Sequence, residues 1–255
     1  MSLRTDKIQT RYEEIRTSLH CNVTDEDYKM IEQKLNQLSE LACIENRSIS
    51  VFDVNRNEFI LKVDRHMELL GYDVTEEINV NNYHKMIHTD DLPFLYDSEI
   101  KMFKFLKPVR SNEKKDYKLI YDYRVRRKDG SYIRFLHQLL LYELDRDYNS
   151  WLLLILSDVI SAYPENAKPR RFLMNTKTKE IRLFNEETGI RGFLITPRER
   201  EILELISQGL DSTEIADKLY ISLNTVNNHR QHVLQKTSTK NITQAITYLK
   251  LTGIM

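Results

Sequence analysis

The spacing of apolar positions changes repeatedly along the chain, and each change marks a boundary. Residues 1–44 read as helix. Tyr28, Ile31, Leu35, Leu38 and Leu41 recur at intervals of three or four, and Thr24 followed by Asp27 has the form of a capping box. Such a stripe needs an apolar partner. From Ser48 the pattern becomes mixed: ISVFDV and EFILKV are short strand-like runs, HMELLGYD and NNYHKMIH have helical spacing, and Tyr117 to Val159 is rich in β-branched and aromatic residues. In that block Lys128, Asp129, Gly130 and Ser131 separate two strand-like runs, and an Asp-Gly pair so placed predicts a β-hairpin. WLLLILSDV predicts a further strand, buried on both faces.

Polar residues take over at SAYPENAKP, so 162–195 reads as a linker; inside it RRFLMNTKTKEIRLF holds two alternating runs around Asn175 to Lys179, the pattern of a small hairpin. From Thr196 the spacing is helical to the end, and the punctuation cuts it into four short helices. Thr196, Pro197 and Glu199 form a capping box with proline at the first helical position, and Gly209 ends that helix. Ser212 or Thr213 caps a second helix with Ile215, Ala216 and Leu219 inward. Ser222 caps a third after only Tyr220 and Ile221, and Ile242, Ala245, Ile246 and Leu249 mark a fourth. Two helices joined by so tight a turn predict a helix-turn-helix. The fold class is thus α+β: an antiparallel-sheet unit with helices at 48–161, preceded by a helical segment at 1–47 and followed by an all-α four-helix unit at 196–255.

The third helix carries the clearest chemistry. At about 100° per residue, Val226, His229, Val233 and Leu234 gather inward, Asn224, Asn228, Gln231 and Gln235 gather opposite, and Asn227 lies on the flank. An amide can pair bidentately with an adenine edge in the major groove, worth about 1–3 kcal/mol of discrimination. Composition changes the picture only locally. Lysine plus arginine equals aspartate plus glutamate, 38 against 38, so no overall field draws the chain to nucleic acid, a membrane or an acidic substrate. From Leu223 to Met255, however, Arg230, Lys236, Lys240 and Lys250 meet no acid, which supplies phosphate attraction beside the amide face. Thr225 and the helix N-terminus add further donors.

These residues identify a family. TPRERE, GLDSTEIADKLYIS and NTVNNHRQHVLQK resemble, in order, spacing and caps, the LuxR/FixJ-type DNA-binding domain. The resemblance covers about a quarter of the chain. It implies double-stranded DNA as partner, base reading by Asn227, Asn228 and Gln231, and backbone contacts by Thr225, Arg230 and Lys236. Many members carry a basic residue where this chain has Asn227, which implies a preference for adenine and a lower affinity. Residues 48–161 resemble a PAS domain through their element order, IHTDDLPFL and YRVRRKDGSYIRF. That implies a sensor enclosing a cavity for a small-molecule effector; the alternative is another α+β module that only dimerises the protein. A receiver domain fits worse, because no alternating βα units appear and Asp90 and Asp91 sit where they cap the helix begun near Pro93.

The cofactor is left unknown. The flavin photoreceptor type of PAS domain needs a core cysteine, and 48–161 has none; His66, His84, His88 and His137 are candidates for haem ligation but earn no assignment. Cys21 and Cys43 cannot build a disulfide framework, which fits a reducing compartment. No apolar run approaches a membrane span and the first residues lack a secretory core, so a cytoplasmic protein is expected. Six glycines, with no GxxxxGK[ST], GxGxxG, GxSxG or HExxH, argue against nucleotide-dependent and hydrolytic enzymes. Eleven basic residues against four acids between Phe103 and Arg134 read as a solvated face or a second site for DNA or an anionic effector. The expected function is a bacterial sequence-specific transcriptional regulator acting as a homodimer, with 28–41 and the fourth helix as seams. The alternative is an interaction adaptor with a vestigial helix-turn-helix.

Overall fold

The structure is a computed structural model that describes residues 3–72, 80–160, 168–182, 191–192 and 194–255. The segment expected to be helical over 1–44 forms two helices, α1 (Leu3–Ser18) and α2 (Asp25–Ile44), the second starting at the expected Thr24–Asp27 capping box. The break is local chemistry. Thr24 is extended, its amide and hydroxyl both donate to the Asp27 carboxylate at 2.7 and 2.9 Å, and a new helix starts there. The preceding Asn22 amide is drawn away to Asp145.

Strands β1 (Ser48–Asp53) and β2 (Glu58–Val63) come next, then α3 (Met67–Leu70), α4 (Val80–Met86), α5 (Leu92–Leu106) and α6 (Ser111–Lys114). β3 (Tyr117–Arg126), β4 (Tyr132–Leu144) and β5 (Ser150–Val159) complete the central sheet. This is the element order that the PAS resemblance implied. The β3–β4 hairpin turns where expected: Gly130 has a φ of 87°, and the Asp129 carboxylate accepts from the Ser131 amide and hydroxyl. Asp91 does stand at the N-cap of α5, but its carboxylate makes no capping bond. It is buried and accepts three hydrogen bonds from the Arg124 amide and guanidinium at 2.7–2.9 Å.

The sheet does not stop at residue 161. β6 (Arg171–Asn175) pairs with β3 and with β7 (Ile181–Arg182), which pairs with β8 (Arg191–Gly192), so among the described residues eight antiparallel strands run in the order β2-β1-β5-β4-β3-β6-β7-β8. The hairpin in the linker is therefore an extension of the sheet. The SAYPENAKP stretch lies largely outside the described residues, as does much of 183–193.

The C-terminal helices are α7 (Pro197–Ser207), α8 (Ser212–Leu219), α9 (Leu223–Thr237) and α10 (Ile242–Leu251). Thr196 and Ser222 cap α7 and α9 as expected. α8 is capped one residue earlier than expected, by Asp211, whose carboxylate accepts from the Thr213 and Glu214 amides at 2.8 and 2.9 Å; a charged acceptor displaces the hydroxyls of Ser212 and Thr213 from that role.

Alternation along β3 and β4 divides the core. Leu119, Tyr121, Tyr123 and Val125 face inward with Phe135, Leu139 and Leu141, beneath α5 and α1. Ile120 and Leu136 face outward and share a second core with Phe172 and Met174 of β6 and with Leu203, Val233, Tyr248 and Leu249 of the helical unit. The rest of the outer face is covered by α2, whose Ile31, Tyr28, Leu35 and Leu38 pack on Val51, Trp151 and Leu152. Both stripes expected as dimer seams are thus occupied within the chain; on α2 the apolar groups left in solvent are Met30, Leu41 and Ile44.

Polar groups fix the outer contact. Buried Lys118 and Gln138 donate to the carbonyls of Thr252 and Leu251 at 2.8 and 3.0 Å, and Lys179 donates to that of Gly253. Buried Asp122 receives Arg134 and Arg170, and Arg170 also donates to the Thr237 carbonyl at the end of α9 and lies 4.8 Å over the Tyr248 ring. Removing one partner of a buried, hydrogen-bonded ion pair leaves the other uncompensated, which typically costs about 3–5 kcal/mol. Asp122→Ala is therefore expected to destabilise the protein by about that much, against less than about 1 kcal/mol for loss of the exposed Lys177–Asp116 pair through Lys177→Ala. Urea unfolding of the two variants measures the difference.

Candidate nucleic-acid interface and interior cavity

The recognition face is built from the inside. Val226 and Val233 of α9 are buried, and His229 and Leu234 are half-buried, while Asn224, Asn227, Asn228, Gln231 and Gln235 are all exposed. α9 starts where the Ser222 hydroxyl accepts the Thr225 amide at 3.1 Å and meets the Thr225 hydroxyl at 2.8 Å. The turn before it holds Tyr220 at a φ of 53°, with a side chain 96% exposed, and Leu223 follows half in solvent. The sequence pattern did not single out Tyr220, because an aromatic in a tight turn carries no periodic signal.

The three expected backbone contacts are not equally free. Thr225 is half-buried in its cap. Arg230 reaches the Ser212 hydroxyl at the first turn of α8. The Lys236 ammonium sits on the buried Glu199 carboxylate, 2.9 and 2.7 Å from its two oxygens. Lys218 and Lys240 are exposed and stand on the same unit. His229 and His232 bring ligand-capable nitrogens within 4.8 Å of the Glu199 carboxylate. Lys236 and the Thr196 amide already hold that carboxylate.

Part of the basic stretch between 104 and 134 resolves into pairs. Arg124 is on Asp91, Arg134 on Asp122, Lys115 on Glu143, and Lys118 is buried under the C-terminus.

Beneath β3 lies a cavity with about 60 Å³ open to the centres of water molecules, lined by Tyr12 of α1, Glu99 of α5, Tyr83 and His84 of α4, Tyr121 and Tyr123 of β3, and His137 of β4, among apolar neighbours. An apolar cavity that takes benzene measures about 150 Å³, so the space as it stands holds a few water molecules. Hydroxyls are chained across it: Tyr83 to Tyr123 at 2.6 Å and Tyr123 to Nδ1 of His137 at 2.8 Å. Burial holds the imidazoles of His84 and His137 down, to about 4 and about 3, so neither carries charge near neutrality. Of the other two candidate haem ligands, His66 bonds the Ser48 hydroxyl through Nδ1 at 2.8 Å and His88 lies 3.8 Å from Asp90.

Residues 194–249 match the family described as bacterial regulatory proteins, luxR family. Over 60 residues the chain is 43% identical to the spore germination protein GerE of Bacillus subtilis, covering 24% of this chain and 81% of that one. Over 55 residues it is 40% identical to the oxygen regulatory protein NreC of Staphylococcus carnosus, covering 22% of this chain but only a quarter of NreC. The crystal structure of the phage VqmA–DPO complex overlays on 87% of this chain and 90% of its own at 14% identity, with a TM-score of 0.34, a loose superposition.

Burial raises the Glu199 carboxyl, but the Lys236 and Thr196 hydrogen bonds outweigh it and hold it below the usual glutamate value of 4.5. A group depressed in the folded state stabilises above its unfolded value and loses that contribution as pH falls through the folded one. The urea midpoint is therefore expected to drop as pH is lowered below about 4.5, with Glu199→Gln flattening that limb. An acid limb identical in the variant would remove Glu199 as its source.

Proposed function

The chain belongs, through its C-terminal domain, to the luxR family of bacterial regulatory proteins, and from that premise we propose that it is a sequence-specific DNA-binding transcriptional regulator whose PAS-like domain binds a small molecule and thereby sets DNA occupancy. The observation that carries the reading is the exposed amide face of α9 on a buried valine seam. It offers Asn227, Asn228 and Gln231 to base edges in the major groove. Phosphate is met by Thr225, Arg230 and the α9 N-terminus, with Lys236 anchoring α9 to α7 and sharing its charge with the backbone.

The protein acts as a homodimer in the cytoplasm. One helix-turn-helix reads only a few base pairs, and two-fold pairing doubles the contact at half-sites about one helical turn apart. None of the described helices is long and apolar enough to cross a membrane. Regulation rather than catalysis is favoured by the relatives named as regulatory proteins, NreC and DesR. The effector acts through β3, which faces the cavity on one side and the DNA-binding unit on the other.

Selection of bound duplexes from a random pool at stated salt tests the DNA reading; recovery of no preferred site would leave the adaptor alternative. On the selected site, Asn228→Ala and Gln231→Ala should each relax preference at one base pair, by about 1–3 kcal/mol, whereas Arg230→Ala should weaken binding to every sequence and reduce the salt slope by about 1. Uniform loss for all three variants would overturn the assignment of roles. Sedimentation at micromolar concentration should show a dimer, and the selected site should be pseudo-palindromic; a monomer on a site without symmetry would count against the two-fold arrangement.

A further inference from the structure

Glu99 is a partly buried carboxyl facing an aromatic cavity. Its two oxygens accept from the Tyr12 and Tyr121 hydroxyls at 2.6 and 2.7 Å, and among the described residues no cationic side chain lies within 4.0 Å of it. An ionised carboxylate offers about four acceptor sites, so two phenols leave it half satisfied. Taking such a charge out of water is costly unless it is paired. Burial accordingly pushes its carboxyl up.

The chain partly answers this charge with one of its own. Arg16 of α1 lines the same cavity, its guanidinium centred 5.5 Å over the Tyr12 ring and 5.3 Å over the Phe52 ring, and it donates to Asn57. From there it acts on Glu99 only at a distance. A planar cation stacked on aromatic faces beside an unpaired carboxylate shows what the cavity mouth prefers. A ligand that reaches further in, carrying the same kind of group, would stack on those rings and also pair with Glu99, where an amidinium fork matches a carboxylate with two parallel bonds. His84 and His137, neutral at pH 7, add no competing positive charge.

We propose that the cavity, enlarged when the Arg16 side chain that lines it moves out, takes a small planar organic cation, of amidinium or protonated amino-heterocycle type and about one ring in size, whose N–H groups donate to Glu99, with Arg16 as the displaceable competitor. The proposal rests on the reading of this cavity as the effector site.

Benzamidine, benzamide and benzoate are near-isosteric probes bearing a positive, zero and negative charge. With the full-length protein at neutral pH, titration calorimetry should show benzamidine binding about ten- to a hundredfold more tightly than benzamide, the range set by a hydrogen bond to a charged group. Benzoate should bind more weakly still. Glu99→Gln should bring benzamidine and benzamide level, whereas Arg16→Gln, on a half-exposed helix position, should tighten benzamidine severalfold. The opposite signs keep the test decisive even if Glu99→Gln lowers stability. Benzamide or benzoate binding as tightly as benzamidine would overturn the cation class while leaving the cavity a ligand site. Failure of all three to bind, in the wild type and in Arg16→Gln alike, would overturn the cavity reading as well.

Discussion

The pleat of β3 is the constraint on which the arrangement depends. Successive side chains of a strand point to opposite faces, so Leu119, Tyr121 and Tyr123 line the interior while Lys118, Ile120 and Asp122, interleaved with them, carry the helical unit. β4 repeats the division in register: Tyr123 pairs with Phe135 and Asp122 with Leu136 across the ladder. A one-residue slip would exchange the two sets, placing a lysine and an aspartate in the cavity and tyrosines under the helices. The register is thus fixed from both sides. Any shift of the strand that accommodates a ligand is transmitted to the other face without an intervening loop.

The contact between sheet and helices is apolar at its centre and unusually specific at its edge. Orphan carbonyls at the end of a helix must find donors, and here the sheet supplies them: Lys118, Gln138 and Lys179 for α10 and its tail, Arg170 for α9. Lys118 is so deeply placed that burial, with Lys179 and Arg47 nearby, lowers its ammonium to about 8. A buried lysine is an expensive way to make one hydrogen bond. Its effect is directional: a helix that slid along the sheet would leave the ammonium without its carbonyl, so the docked geometry is selected over near neighbours that bury the same apolar area.

Much of this was legible in the sequence because it rests on local rules. The Thr196–Glu199 box, Ser222, the Asp129–Gly130 turn and the inward set of α9 are decided within four residues of one another, and the structure reproduces them. Apart from the cap of α8, what was missed is long-range. Asp91 has the sequence of a cap, but an arginine 33 residues away takes its carboxylate. The Arg171–Arg182 segment has the pattern of a free hairpin, but nothing in its own residues says that β3 has an open edge for it. The apolar stripe of α2 asks for a partner without saying whether that partner is this chain or another, and the sheet answers. Glu99, one acid in an ordinary amphipathic helix, gives no sign in the sequence that two tyrosines from distant elements will converge on it.

The exposed face of α9 is rich in amides. Most specific DNA binders draw a large share of their affinity from phosphate neutralisation, and here Lys236 is paired with Glu199 while Arg230, on the neutral Ser212 hydroxyl, keeps its charge. A single unit built this way has modest grip and depends on reading edges well. Were two such units held together on one site, misplacing either would remove its amide contacts. That sensitivity is what a sensor needs from its output. A domain bound to the back of the sheet through buried, directional hydrogen bonds can change DNA occupancy by moving the reader slightly, without covering the α9 amides at all.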